Sequence, residues 1–130
     1  KVTVEKMEEE FGCDPADILG AVGPSICQDC YEVSEDVADA FKEEFGAEIS
    51  QDDSTSCYSW NGKSILMNKG NGKYQLDLWG ANRLVLLDAG ILPEHLAVTN
   101  VCTKCNPDLL YSHRVMGDKR GNLAAFLSLK

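Results

Sequence analysis

Apolar positions recur along the chain with two periods, and these sort it into helices and strands. Val4, Met7 and Phe11 fall at i, i+3 and i+7, with Glu8, Glu9 and Glu10 between them. Residues 3–11 therefore predict an amphipathic helix with a solvated acidic face. Gly12 is placed to cap it, and Cys13-Asp14-Pro15 to turn the chain. The stretch 18–22 is short, apolar and bounded by turn residues, as a buried strand is, and Gly23-Pro24 ends it. Ser34 reads as a helix N-cap, with Glu35 and Asp36 in the first turn, where the helix dipole favours carboxylates. Val37, Phe41 and Phe45 lie four apart on one face, and Gly46 is placed to stop that helix.

Between 47 and 73 the periodicity lapses. Asn61-Gly62 and Gly70-Asn71-Gly72 are turn signals, Ile65-Leu66-Met67 is one short strand, and a mobile flap is the expectation for the stretch. The strongest helical pattern runs over 74–89, with Asp77 as candidate N-cap and Leu78, Ala81, Leu84, Val85 and Leu87 forming a broad stripe. Gly90 ends it and Pro93 prevents continuation. Residues 96–101 alternate and carry β-branched side chains, which predicts a strand. A further extended segment is expected over 109–114, a basic turn over 117–121 and a last strand over 122–129. Helices alternating with strands of mixed character predict an α/β or α+β fold, layered as α/β/α around a mixed sheet. No repeat and no linker divides the 130 residues, so one domain is expected.

Composition narrows the function classes. The formal net charge is -9, which disfavours binding to a nucleic-acid backbone, since that needs clustered Lys and Arg. No apolar run is long enough to span a bilayer, and no signal peptide is visible. Of the residues, 44% are hydrophobic, enough for an ordinary core. Six cysteines with only four prolines read as reduced thiols in a cytoplasmic protein more than as a disulfide scaffold.

Three groups could carry chemistry. Cys27/Cys30 and Cys102/Cys105 are two Cys-x-x-Cys pairs, and four thiolates can hold a zinc tetrahedrally. More than half the chain separates the pairs, far beyond ribbon-type spacing, so only the fold could bring them together. Without that, they are small buried hydrophobes, the reading given to Cys13 and Cys57. His113-Arg114 could face a phosphate or carboxylate, or be plain surface charge on an extended segment. Asp29 and Glu32 flank Cys30 and could orient a ligand or move a proton; as exposed carboxylates they would do neither. His95, after Pro93-Glu94, reads as a loop residue.

Four segments together resemble a known family: Gly23-Pro24-Ser25-Ile26 with Cys30-Tyr31-Glu32-Val33, the run from Leu76 to Arg83, Cys102 to Asn106, and Ser112-His113-Arg114 with the run from Gly121 to Phe126. Their order resembles the C-terminal half of the YfiH-type laccase-domain proteins. That family was first described as multicopper polyphenol oxidoreductases and is associated with purine nucleoside phosphorylase and adenosine deaminase activity. The resemblance implies purine nucleoside and phosphate as substrates. It also implies a zinc (copper in the older description) held by two histidines and one cysteine. Those ligands lie in His-Gly, Ala-Asp-Cys and His-Ala-Gly-Trp segments of the N-terminal half, and this sequence contains none of the three. The resemblance therefore implies a partial domain that is inactive alone, holds no catalytic metal and self-associates through its exposed face. Cys30, Tyr31, His113 and Arg114 are then the cleft residues, with no catalytic residue assigned. The alternative is a non-catalytic zinc-binding or interaction module built on Cys27, Cys30, Cys102 and Cys105. The chain departs from the family pattern at Cys27-Gln28-Asp29-Cys30, where many members have Gly-Pro-Cys-Cys, and at Val115-Met116, where many have Arg-Asp.

Overall fold

The computed structural model describes residues 1–45, 59–60, 63–126 and 128. Helix α1 (Val2–Phe11) ends at Gly12 in the left-handed conformation, φ 65°, whose N–H closes onto the Glu8 carbonyl. Gly tolerates that conformation without a Cβ penalty. Strand β1 (Gly20–Val22) follows, and then β2 (Glu32–Ser34), which runs directly into α2 (Glu35–Phe45). The Ser34 hydroxyl bonds the Asp36 carboxylate at the start of that helix. Two short strands, β3 (Ser59–Trp60) and β4 (Lys63–Ser64), pair with each other. The expected stop at Gly46, the Asn61-Gly62 turn, Cys57 and most of the expected flap lie outside the described residues.

Strands β5 (Leu66–Gly70) and β6 (Lys73–Leu76) form a hairpin. Its turn places Gly70, Asn71 and Gly72 all at positive φ, which explains the Gly-Asn-Gly sequence. β6 also pairs antiparallel with β2, so the sheet runs β2-β6-β5. Helix α3 (Leu78–Asp88) starts at Asp77, whose Oδ1 accepts the Gly80 N–H at 3.0 Å. Strand β7 (Leu96–Val98) lies parallel to β1, with Gly20 opposite Leu96 and Val22 opposite Val98. A single helical turn, α4 (His113–Met116), leads into a 3₁₀ turn at Gly117–Lys119. The fold is thus mixed α/β, with parallel and antiparallel pairing, as expected.

Two clusters form the core. Val33, Ala38, Tyr74 and Leu76 bury the face between α2 and the antiparallel sheet, with Phe41 and Tyr31 packed against them. Val4, Ile91 and Leu96 join α1 to the parallel pair, with Ile18, Val22 and Leu86 alongside.

Four expectations are corrected. Residues 74–76 are strand, because Tyr74 and Leu76 point into the core in a period of two and β6 pairs with both β2 and β5; the helix begins only after Asp77. The segment 109–114 is not extended: Leu109 and Leu110 N–H groups both close onto the Asn106 carbonyl as a turn, and His113 opens α4. Residues 122–126 form no strand. Leu123 and Phe126 are exposed there, and alternation makes a sheet only where a neighbouring strand can pair. Phe11, expected on the buried stripe of α1, is 80% exposed.

Candidate metal centre and cleft wall

The parallel pair decides where the cysteines go. β1 and β7 run in the same direction, so the loops leaving their C-terminal ends start side by side. The pairing continues past the strands: Thr99 N–H donates to Val22 O, Ser25 bridges to Cys102, and Thr103 N–H donates to Ser25 O at 3.1 Å. Each loop then folds into a tight turn. In the first, Cys30 N–H closes onto Cys27 O. In the second, Asn106 N–H and its side-chain amide both donate to Cys102 O.

The sulfurs of Cys27, Cys30, Cys102 and Cys105 consequently lie within 4.8 Å of one another. Cys30 Sγ and Cys105 Sγ are 3.6 Å apart. Tetrahedral coordination at a Zn–S distance of about 2.3 Å places sulfurs roughly 3.8 Å apart, so the quartet is already near that spacing. All four are free thiols. The cluster grades from buried Cys102 to exposed Cys105. Among the described residues this is the group of metal-capable side chains that comes together.

Its electrostatics centre on Cys102. Burial pushes that thiol up, but N–H groups of Cys27 (3.3 Å) and Cys105 (3.4 Å) aim at its sulfur, and the Cys27 and Cys105 thiols add to them. The donors win, and Cys102 falls to about 6. Its neighbours move the other way. Burial and the hydrogen bond to Cys102 push Cys27 up to about 12, and hydrogen bonds with Cys102 and Cys30 raise Cys105 to about 11. The cluster therefore gathers its first negative charge on the buried sulfur.

Next to the quartet stands an aromatic and cationic wall. The Arg114 guanidinium lies 5.2 Å from the Tyr31 ring centroid, and its Nη2 donates to Glu32 O at 3.0 Å. Tyr31 adjoins Cys30 and its carbonyl accepts Leu76 N–H, so the wall is fixed to β6. His113, on the same turn, is exposed. The structure thus sets Arg114 over Tyr31, the residue after Cys30, and His113 precedes Arg114 in α4. Asp29 and Glu32 do not join the cluster: both are exposed, and Glu32 Oε1 pairs with Lys73 at 3.9 Å. His95 is anchored elsewhere, Nδ1–H donating to Ala16 O at 2.6 Å.

Sequence reasoning missed two contributors. Gln28 Nε2 donates to Ser64 O at 2.6 Å, and Gln75 Nε2 to Asp29 O at 3.0 Å, clamping the first cysteine loop onto the antiparallel strands. Neither glutamine carries a sequence signal, because its role depends on which backbone carbonyl it meets.

Comparison with known proteins gives the family and the fold. The family model described as "Multi-copper polyphenol oxidoreductase laccase" matches residues 1–130. The chain belongs to this laccase-domain family. It is 34% identical over 128 residues to "Purine nucleoside phosphorylase YlmD" of Bacillus subtilis, covering 98% of this chain and 41% of that protein. It is 34% identical over 121 residues to "Adenosine deaminase RL5" of an unknown prokaryotic organism, covering 93% and 41%. Among solved structures, YlmD from Geobacillus stearothermophilus superimposes with a TM-score of 0.70 at 32% identity, over 87% of this chain and 37% of that one. This laccase-domain chain thus spans about two fifths of the length of the relatives it matches, and it is related to enzymes.

The zinc set that the resemblance implies, two histidines and one cysteine, does not fit the residues present. The metal-capable cluster among the described residues contains four cysteines and no histidine.

Proposed function

We propose that this chain is a partial domain forming one wall of the substrate cleft of a zinc-dependent purine nucleoside phosphorylase and adenosine deaminase. The observation that carries this reading is the match of the laccase-domain family over all 130 residues, with relatives named for both activities. The catalytic metal would come from segments that this sequence does not contain, so the 130 residues alone turn over neither nucleoside.

Within that reading, Arg114 is the anion-binding group. A guanidinium carries five N–H donors in a planar fork suited to phosphate. One of them is spent on Glu32 O, and the Tyr31 ring supports the plane from one side. The remaining donors are assigned to the phosphate that attacks the ribose in phosphorolysis. Deamination uses water instead, so Arg114 matters to one reaction and not the other. Cys30, Tyr31 and His113 complete the wall.

The test places this sequence into the matching segment of Bacillus subtilis YlmD. The chimera is expected to release hypoxanthine from inosine only when phosphate is present, and to convert adenosine to inosine. Arg114→Ala should raise the KM for phosphate roughly 10- to 100-fold, as loss of a charged hydrogen bond does, while deamination is spared; Arg114→Lys should recover part of the loss. Equal loss of both reactions in Arg114→Ala would remove the assignment to phosphate. A folded chimera without either activity would remove the functional reading. Turnover by the 130-residue chain alone would show that the chain needs no other segment.

A further inference from the structure

We propose that Cys27, Cys30, Cys102 and Cys105 form a closed, structural zinc site that staples the two halves of the core together, apart from any catalytic metal.

Three observations carry it. The four sulfurs lie within 4.8 Å of one another, and the 3.6 Å between Cys30 and Cys105 is close to the edge of a tetrahedral four-sulfur site. Both loops have the form of metal knuckles, since each cysteine pair sits on a tight turn and the sulfurs of both pairs converge. In the second loop the Cys105 N–H donates back to Cys102 Sγ, and the Cys27 N–H reaches the same sulfur from the first loop. Backbone donors aimed at a ligand sulfur spread the charge of a tetrathiolate and fix ligand direction.

The placement gives the site its purpose. The first knuckle is held to the antiparallel sheet by Gln75 and the Tyr31 carbonyl, and to β4 by Gln28. The second leaves the parallel pair, whose side chains belong to the other core cluster. The two core clusters are distinct. A metal bound by two cysteines from each loop would lock them, and with them the Tyr31–Arg114 wall adjoining Cys30. Four thiolates leave no open position, so the site takes no substrate. Zinc is the metal because a tetrahedral sulfur set suits it and it brings no redox change. Binding releases the thiol protons and uses no electrons.

The inference stands on loop geometry and does not depend on the enzymatic reading. The test uses the 130-residue chain purified under reducing conditions. Elemental analysis should find one zinc per chain. Cobalt(II) added to the stripped chain should give thiolate-to-cobalt charge-transfer absorption and the intense visible bands of a tetrahedral four-sulfur site. Cys105→Ser, at the exposed corner, should shift those bands and weaken zinc at least about tenfold; Cys13→Ser should change neither. A stripped chain that is unfolded and folds on adding zinc also supports the site, since metal binding then supplies folding free energy. A chain that binds neither metal, whether folded or not, overturns it. So does iron in place of zinc, or a Cys30–Cys105 disulfide found by mass spectrometry in protein alkylated without reduction.

Discussion

Asp77 and Gly80 show how closely single residues are coupled here. Asp77 caps α3 through the Gly80 N–H, and a Cβ at Gly80 would stand 2.7 Å from Asp77 Oδ2 and 3.0 Å from Ile65 Cγ2. Asp77→Ala should cost about 1 kcal/mol of stability. Gly80→Ala should cost about 1–3 kcal/mol despite alanine's better helix propensity, because the cap carboxylate has to move. In urea titrations the double variant should lose less than the sum of the two, since removing the carboxylate removes the clash; full additivity would show that the contact is not what excludes a side chain. Lys42 is a second case. Its ammonium bonds Asp39 at 2.7 Å and sits 4.7 Å from the Tyr74 ring centroid, and these contacts raise its pKa, the Asp39 hydrogen bond contributing most. A raised cation stabilises the fold fully below its unfolded value of 10.5 and loses that contribution as pH rises beyond it. Lys42→Met should therefore cost a similar amount, under about 1 kcal/mol, at pH 6 and pH 8. That cost should shrink in alkali; a cost that appears only at acid pH would contradict the assignment.

At the scale of elements, the antiparallel sheet is where burial is most complete. Leu76 is fully buried between β2, β5 and α2, and Ala38 closes the cluster from the helix side. Leu76→Ala should lower the unfolding free energy by about 2–5 kcal/mol, read from chemical denaturation. A loss under 1 kcal/mol would mean that this cluster does not hold the sheet. The elements best read from sequence are those whose signals are local: α1 with its Gly12 cap, the Asp77 start of α3, and the Gly-Asn-Gly hairpin turn. Those that misled are 74–76 and 122–126. Tyr74 and Leu76 fit both a helical and an alternating pattern, and pairing with Val33 and its neighbours selected the strand. Residues 122–126 alternate but meet no strand among the described residues.

For the whole molecule, the outer surface is unusually apolar in places. Leu19, Leu109 and Phe126 are 79%, 81% and 94% exposed. Large exposed side chains on a chain that spans two fifths of its relatives favour association. Sedimentation velocity of the 130-residue chain should show mass rising with concentration, and Leu109→Lys with Phe126→Lys should reduce it. A chain that stays monomeric across the micromolar range would refute this. No helix among the described residues is long and apolar enough to cross a membrane.

The sequence by itself determined the local chemistry: two Cys-x-x-Cys turns, the caps and breaks of the helices, and the segments that resemble the laccase-domain family. These depend on residues a few positions apart, and neighbours along the chain are always neighbours in space. What only the tertiary structure decided is that the two cysteine turns meet. That meeting depends on β1 and β7 pairing in parallel with Gly20 opposite Leu96. A one-residue slip would reverse the facing of every side chain on the strand and carry Cys102 away from Ser25. Long-range register is set by the summed burial of Val4, Ile91, Leu96 and their neighbours, and no short stretch of sequence encodes that sum. The contact of Arg114 with Tyr31 has the same origin: the residues are far apart in sequence and are joined by the turn at 106–110 and the single helical turn after it.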